Sequence, residues 1–361
     1  MQPLALAQHR DGPAGRIPVT LVTGFLGSGK TTLLSHVLRQ PEMNRAAVVI
    51  NEIGEVGIDH ELVAVSSENI SVLVNGCICC TVRTDLQETL RELFGQRRAG
   101  QVPDFDRVIV ETTGLADPAP VVQTLVSDTM LAAHYRVDGV VTLVDAVHGQ
   151  GLLRDQPEAR KQVALADRVL VSKSDLATPQ QLAGVRADIE SLNRTASIHT
   201  VLHGQLDPAL LVGIGLASAR AGEHTLRFLN EAPDHRLRPF PGGASPHLAD
   251  IRTFSLRIEE AFTWDAFAAA MDLLTSVRGA DLLRAKGIVN VDGQPVVVQC
   301  VQHIFHPAVP LDRWPSDDHA TRLVFITRRL EERVIRSLFG AVRELAPSGG
   351  QESASQQLRS S

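Results

Sequence analysis

Ile17-Pro18-Val19-Thr20-Leu21-Val22-Thr23 runs directly into Gly24-Phe25-Leu26-Gly27-Ser28-Gly29-Lys30-Thr31, and these two pieces together decide the fold. The first is a short apolar, β-branched run of the kind that fills a buried strand. The second has the spacing Gly24-x-x-x-x-Gly29-Lys30-Thr31 and opens a segment with helical spacing over residues 31–39. A glycine loop between strand and helix turns backbone N–H groups inward and aims them at an anion, helped by the partial positive charge of the helix start. A lysine at its end matches β- and γ-phosphate oxygens, and the hydroxyl after it suits Mg²⁺. Gly24, Gly27, Ser28, Gly29, Lys30, Thr31 and Thr32 are therefore the candidate nucleotide-binding residues, with Lys30 also a candidate catalytic group.

Outward from this loop, apolar runs at 46–51, 70–74, 107–111, 139–144, 168–172 and 197–202 read as strands, and 86–97, 118–133 and 179–193 read as helices. Continuous apolar strands alternating with helices predict an α/β fold, a mostly parallel sheet with helices on both faces. The pattern weakens after residue 216, and a Pro/Gly-rich stretch over 230–247 marks a linker. Strands at 251–258, 287–291, 295–301 and 322–327, with helices at 264–277 and 331–342, then predict a smaller α+β domain. The expected organisation is a disordered tail (1–16), a nucleotide-binding domain (17–216), a linker (217–250), a C-terminal domain (251–345) and a second disordered tail (346–361).

Composition agrees with that division. The 361 residues, 44% of them hydrophobic, suffice for two cores at about 150 residues per domain. A formal charge of −6 with scattered basic residues argues against a nucleic-acid partner. No apolar run approaches the roughly 20 residues that cross a bilayer, and the first residues lack the pattern of a signal peptide. The expectation is a cytoplasmic protein with no membrane partner; a homo-oligomer is compatible with the sequence.

Two further segments belong with the loop. Glu111 closes the strand 107–111 and precedes Thr112-Thr113-Gly114, which puts a carboxylate at the carboxyl edge of the sheet, where open α/β sheets bind ligands. It can serve Mg²⁺ or the attacking water, or be an edge glutamate. Ser172-Lys173-Ser174-Asp175 follows the strand 168–172 and resembles the guanine-reading Asn-Lys-x-Asp of GTPases. Asp175 can accept from guanine N1–H and the 2-amino group, and the stem of Lys173 can cover the base. The competing reading is a plain helix N-cap at Asp175. Together these residues indicate GTP and GDP as ligands, with Thr31 and Glu111 holding Mg²⁺.

Three of the four cysteines, Cys77, Cys79 and Cys80, stand within Asn75-Gly76-Cys77-Ile78-Cys79-Cys80-Thr81. Such crowding suits no disulfide framework. Three thiolates favour Zn²⁺ or another soft ion, provided the backbone turns tightly there. Small core residues in a strand-to-helix turn and a redox role are the alternatives. The acidic stretch with Glu52, Glu55 and Asp59 lies where a P-loop GTPase carries a γ-phosphate-sensitive loop. His303 and His306 read as turn or core residues more readily than as ligands, Cys300 reads as core, and Trp264 and Trp314 as packing anchors.

With these motifs in place, the chain resembles the CobW-like metallochaperone GTPases, most of all the YjiA type, over residues 17–345. The resemblance rests on the phosphate loop, Asn51-Glu52-x-Gly54-Glu55, Gly76-Cys77-Ile78-Cys79-Cys80, Glu111-Thr112-Thr113-Gly114 and Ser172-Lys173-x-Asp175. In the second half it continues through Leu282-Leu283-Arg284-x-Lys286-Gly287 and Gln299-x-Val301-Gln302-His303. It implies GTP hydrolysis, a transition metal at Cys77, Cys79 and Cys80, and delivery of Zn²⁺, Co²⁺ or a similar ion to a client metalloprotein; the carboxylates of the acidic stretch can serve Mg²⁺, the carried metal (Glu55 as a further ligand) or only solvent. Two departures stand out: there is no histidine-rich segment, and Ile50 occupies a position where relatives can carry a glutamate.

Overall fold

The computed structural model describes residues 15–51, 63–66, 70–73, 78–81, 86–214 and 251–345. Nearly all of both expected tails and of the expected linker, with Glu52, Glu55, Asp59 and Cys77, lies outside the described residues. Arg16, expected in the first tail, is described, and its guanidinium donates to Ala132 O at 3.2 Å.

The first part is built on a nine-stranded sheet in the order β3-β4-β5-β2-β6-β1-β7-β8-β9. Its strands are β1 (Ile17–Gly24), β2 (Ala46–Asn51), β3 (Val63–Ser66), β4 (Ile70–Leu73), β5 (Ile78–Thr81), β6 (Arg107–Thr112), β7 (Tyr135–Asp145), β8 (Arg168–Ser172) and β9 (Ser197–Thr200). All pairings from β5 through β9 are parallel, whereas β3–β4 and β4–β5 are antiparallel. The helices are α1 (Lys30–Val37), α2 (Leu86–Arg98), α3 (Pro118–Ser127), α4 (Thr129–His134), α5 (Gly149–Asp155), α6 (Pro157–Leu165) and α7 (Pro179–Leu192).

Successive side chains of a strand face opposite ways, and β1 is buried on both faces, which is why its run is mostly apolar. Val19 and Leu21 join a core with α2, α3 and α4, while Val22 joins the other with Leu33, Leu34 and Val37 of α1. β1 lies between β6 and β7, so its carboxyl end opens where the chain crosses over in opposite directions, the usual ligand crevice of such sheets.

Three expectations are corrected here. The single helix over 118–133 is two helices, because Asp128 is extended (φ −78°, ψ 120°) and its carboxylate caps α4 by accepting from Leu131 N. The segment after β7 holds α5 and α6, helices of seven and nine residues, too short for the sequence to show a full helical period. Residues 78–81, where the alternative to the metal reading put a strand-to-helix turn, form β5, a strand between β4 and β2.

The second part is a six-stranded antiparallel sheet, β10-β15-β11-β12-β13 with β14 on β12. It comprises β10 (Ile251–Ile258), α8 (Trp264–Arg278), β11 (Leu282–Val291), β12 (Gln294–Val301), β13 (Ile304–Phe305), β14 (Val309–Pro310), β15 (Thr321–Arg328) and α9 (Glu332–Leu345). β11 starts at Leu282 rather than Gly287, so the whole motif Leu282–Gly287 is strand. Asp292 (φ 50°) and Gly293 (φ 88°) make the tight β11–β12 turn, whose left-handed pair suits the twist of a hairpin. Phe262, Phe267, Phe325 and Phe339 pack between this sheet and helices α8 and α9, with Cys300 buried among them. Leu283, Val301 and Ile326 turn the other way and join the first part's core beside Leu165.

Candidate functional site

β1 delivers the chain to Gly24, where no side chain fits: a Cβ would stand 2.5 Å from Leu143 O of β7. The loop turns back through Ser28 N to Phe25 O at 3.1 Å, and Gly29 (φ 94°) sets the first turn of α1 in a conformation that other residues resist. Lys30 is buried, and its Nζ donates to Gly24 O at 2.9 Å, which holds the ammonium over the loop. The parallel register sets Val22 opposite Glu111, so the carboxylate at the end of β6 meets the first turn of α1. Thr31 Oγ1 donates to Glu111 Oε1 at 3.0 Å, and Thr112 Oγ1 donates to Thr23 Oγ1 at 2.9 Å. A hydroxyl and a carboxylate 1% exposed form a hard-oxygen pair of the kind Mg²⁺ takes.

The end of β8 completes the crevice. Ser172 Oγ donates to Ser28 O at 2.7 Å, so a serine in the asparagine position still ties this segment to the phosphate loop. Lys173 sits at φ 54°, and its Nζ donates to Asp145 Oδ2 at 2.8 Å. The N-cap of α7 is Thr178, in a reciprocal capping box with Gln181, so Asp175 is not a helix cap. Its carboxylate stands partly exposed, with His203 Nδ1 3.9 Å away.

Beyond Glu111 the chain passes over the phosphate loop. Gly114 lies against Leu26, where a Cβ would come 2.6 Å from Leu26 N. Gln162 Nε2 of α6 then donates to Gly114 O and to Ala116 O, both at 3.1 Å. Asp117 caps α3 through Ala119 N at 3.0 Å and pairs with Lys161 of α6.

The thiol segment runs beside this crevice along β2, with Val48 opposite Cys79, Val49 opposite Cys80 and Ile50 opposite Thr81. On the other flank Ser71 pairs Cys79 and Ile70 pairs Cys80. Ile50 also pairs Glu111 and is buried in apolar surroundings. Among the described residues no group of three or more His, Cys, Asp or Glu is placed to hold a metal ion.

A family model for the CobW/HypB/UreG nucleotide-binding domain matches residues 18–200, and one for the cobalamin synthesis protein CobW C-terminal domain matches 251–343. The chain belongs to the CobW family. The zinc chaperone YjiA of Escherichia coli is 34% identical over 331 residues, covering 91% of this chain and 99% of that protein. The zinc chaperone CobW of Pseudomonas aeruginosa is 33% identical, covering 89% of this chain and 90% of that one. The crystal structure of the Zn(II)-bound YjiA GTPase from E. coli superposes with a TM-score of 0.71 at 32% identity, covering 91% and 99% of the two chains. The fold is that of the P-loop GTPases, with a separate C-terminal antiparallel sheet.

Within this CobW-family fold, two site residues escaped sequence reading. Asp145, at the end of β7, accepts from Val147 N at 2.7 Å as well as from Lys173. Burial opposes its ionisation, yet the hydrogen bonds from Lys173, Val147 and His148 hold its carboxyl below the usual range. Gln162 is the other. A polar residue closing a buried strand signals Asp145 as it signals Glu111, whereas nothing local marks Gln162. His303 is exposed, while His306 donates its backbone N–H to Gln299 O at 3.0 Å. Burial, with Arg284 nearby, pushes the His306 imidazole down to about 4, so it is neutral at physiological pH. Burial pushes the Cys300 thiol up, which leaves an inert core residue.

Proposed function

We propose that this CobW-family protein binds and hydrolyses GTP and carries a transition metal, Zn²⁺ or Co²⁺, which it hands to a client metalloprotein under nucleotide control. The observation that carries the reading is the convergence at one crevice of the glycine loop, the Thr31–Glu111 pair and the Ser172–Asp175 segment joined to Ser28. Lys30 and the loop amides hold the phosphates, Thr31 and Glu111 hold Mg²⁺, and Asp175 selects guanine. Held by Thr31 and Glu111, Mg²⁺ would supply charge neutralisation on the phosphates, and Glu111 would orient the attacking water. Without a supplied arginine, turnover of about 10⁻⁴–10⁻² s⁻¹ is expected. Cys77, Cys79 and Cys80 are the proposed ligands of the carried metal, with Glu55 as a fourth. The zinc chaperone names of the relatives support this cargo.

A second reading has an observation in its favour. Cys79 and Cys80 occupy successive positions of a strand paired on both sides, which suits a structural segment in a nucleotide-responsive binding module that delivers nothing. Zinc titration of the reduced protein with GDP, with a non-hydrolysable GTP analogue and without nucleotide decides between them. Tight stoichiometric zinc whose affinity changes with nucleotide by about 5–150-fold, and is lost on replacing Cys79 and Cys80 with Ser, supports delivery. Superimposable curves overturn nucleotide control, and unaltered zinc binding in the Ser variant overturns the ligand assignment.

A further inference from the structure

The motif Leu282-Leu283-Arg284-x-Lys286-Gly287 has no part in phosphate, base or metal chemistry, yet it carries two buried cations. Both reach out of the second sheet into the first part of the molecule. Arg284 donates to Leu165 O and to Asp167 Oδ1, and Lys286 Nζ donates to the same Asp167 oxygen at 3.2 Å. Asp167 Oδ2 accepts from Val140 N at 3.0 Å, which locks the carboxylate to β7.

Leu165 is the last residue of α6. A helix leaves its final carbonyls without internal partners, and a cation there also meets the negative end of the helix dipole. The second sheet thus supplies the end of α6. Asn193 Nδ2 takes the neighbouring carbonyls of Val163, Ala164 and Ala166, at 2.9, 3.3 and 2.8 Å. Three residues before Leu165, about 4.5 Å along the axis, Gln162 grips Gly114 O and Ala116 O, and Lys161 grips Asp117. That loop begins at Glu111 and touches the phosphate loop where Gly114 meets Leu26. One short helix therefore binds the loop that lies against Leu26 on one turn and the second sheet on the next.

We propose that α6 couples the nucleotide site to the seating of the C-terminal sheet, with Gln162 and Arg284 as positioning residues at its two grips. A shift of the loop at Gly114–Ala116 moves α6, and α6 cannot move without changing the hydrogen bonds that Arg284 makes to Leu165 O and Asp167. The inference rests on the guanine-nucleotide reading of the crevice. It identifies how the state of that crevice reaches the part of the molecule farther along the chain.

The test is hydrogen exchange of the β11 amides in the full-length protein without nucleotide, with GDP and with a non-hydrolysable GTP analogue, after calorimetry has measured binding of both nucleotides. The expected result is a difference between GDP and analogue of about 5-fold or more in β11 exchange. Gln162→Leu keeps the shape but removes both donated hydrogen bonds. Arg284→Lys keeps the buried charge but cannot hold Leu165 O and Asp167 together. Each is expected to abolish the difference in β11, and Arg284→Lys to change the ratio of analogue to GDP affinity while GDP affinity itself stays within about twofold, since linkage is reciprocal. A wild type that binds GTP but exchanges identically in all three states overturns the coupling, as does a difference that persists in both variants. A wild type that binds no guanine nucleotide overturns the reading of the crevice as well, and the calorimetry reports that first.

Discussion

At the scale of single residues, the proposed chemistry of the crevice falls on Lys30, Asp175 and Asp145. Lys30→Ala removes the ammonium from a loop that faces two or three phosphate charges. A charge-assisted hydrogen bond contributes about 1.5–3 kcal/mol, so calorimetry should show GTP affinity falling by about 10-fold to 150-fold. An unchanged affinity would end the assignment of the loop. Asp175→Asn should exchange GTP preference for xanthosine triphosphate, because an amide can donate to the xanthine 2-oxo group where a carboxylate repels it. If ATP competes as well as GTP against the wild type, Asp175 does not read the base. Asp145 acts through Lys173: with Asp145→Asn the counter-charge at 2.8 Å is gone, and GTP affinity should drop by about 10-fold with phosphate contacts intact.

At the scale of elements, α6 is held by partners that are not its sequence neighbours. Asn193 is fully buried, and its amide donates to three carbonyls around the end of α6 while its Oδ1 accepts from Thr195 Oγ1 at 2.7 Å and Ala196 N at 3.1 Å. Truncation strands buried acceptors, each costing about 1–3 kcal/mol. Asn193→Ala should therefore lower the urea unfolding free energy by about 2–4 kcal/mol, more than a capping residue contributes at an exposed helix end. A loss below about 1 kcal/mol would mean that water replaces the amide. The split between α3 and α4 has a similar origin, since the Asp128 carboxylate that caps α4 also draws Arg91 and Gln87 from α2.

At the scale of the whole molecule, the joint between the two sheets is charged and buried at Asp167, Arg284 and Lys286. Burial works against ionisation of Asp167, but the charges of Arg284 and Lys286 hold its carboxyl below the usual range. His306 faces the same cluster, and its pKa falls from 6.5 to about 4 through burial first, then Arg284, with Asp167 opposing and Lys286 adding. Between those values the unfolded chain binds a proton that the folded chain refuses, so unfolding free energy rises with pH across that window. The contribution is complete above 6.5 and is lost as pH falls towards 4. Urea unfolding at pH 5 and pH 7 should show a steeper pH dependence for the wild type than for His306→Asn. Equal slopes would place His306 in water. Asp167→Asn, which leaves two cations in a dry joint, should cost about 3–5 kcal/mol.

The sequence by itself determined what depends on consecutive residues. Gly24–Thr31 dictates a phosphate loop because strand, turn and helix start are encoded within that stretch, and the continuous apolar runs dictate a sheet covered on both faces. The placement of Ser172–Asp175 at the end of β8 was legible for the same reason. Tertiary structure alone decided the partners that no motif names: Lys173 with Asp145 across 28 residues and Arg284 with Asp167 across 117. It also decided that Cys79 and Cys80 lie on a strand between β4 and β2. Periodicity says which face of an element is buried, but strand order and register choose the neighbours, and a buried polar group acts through the neighbour that satisfies it.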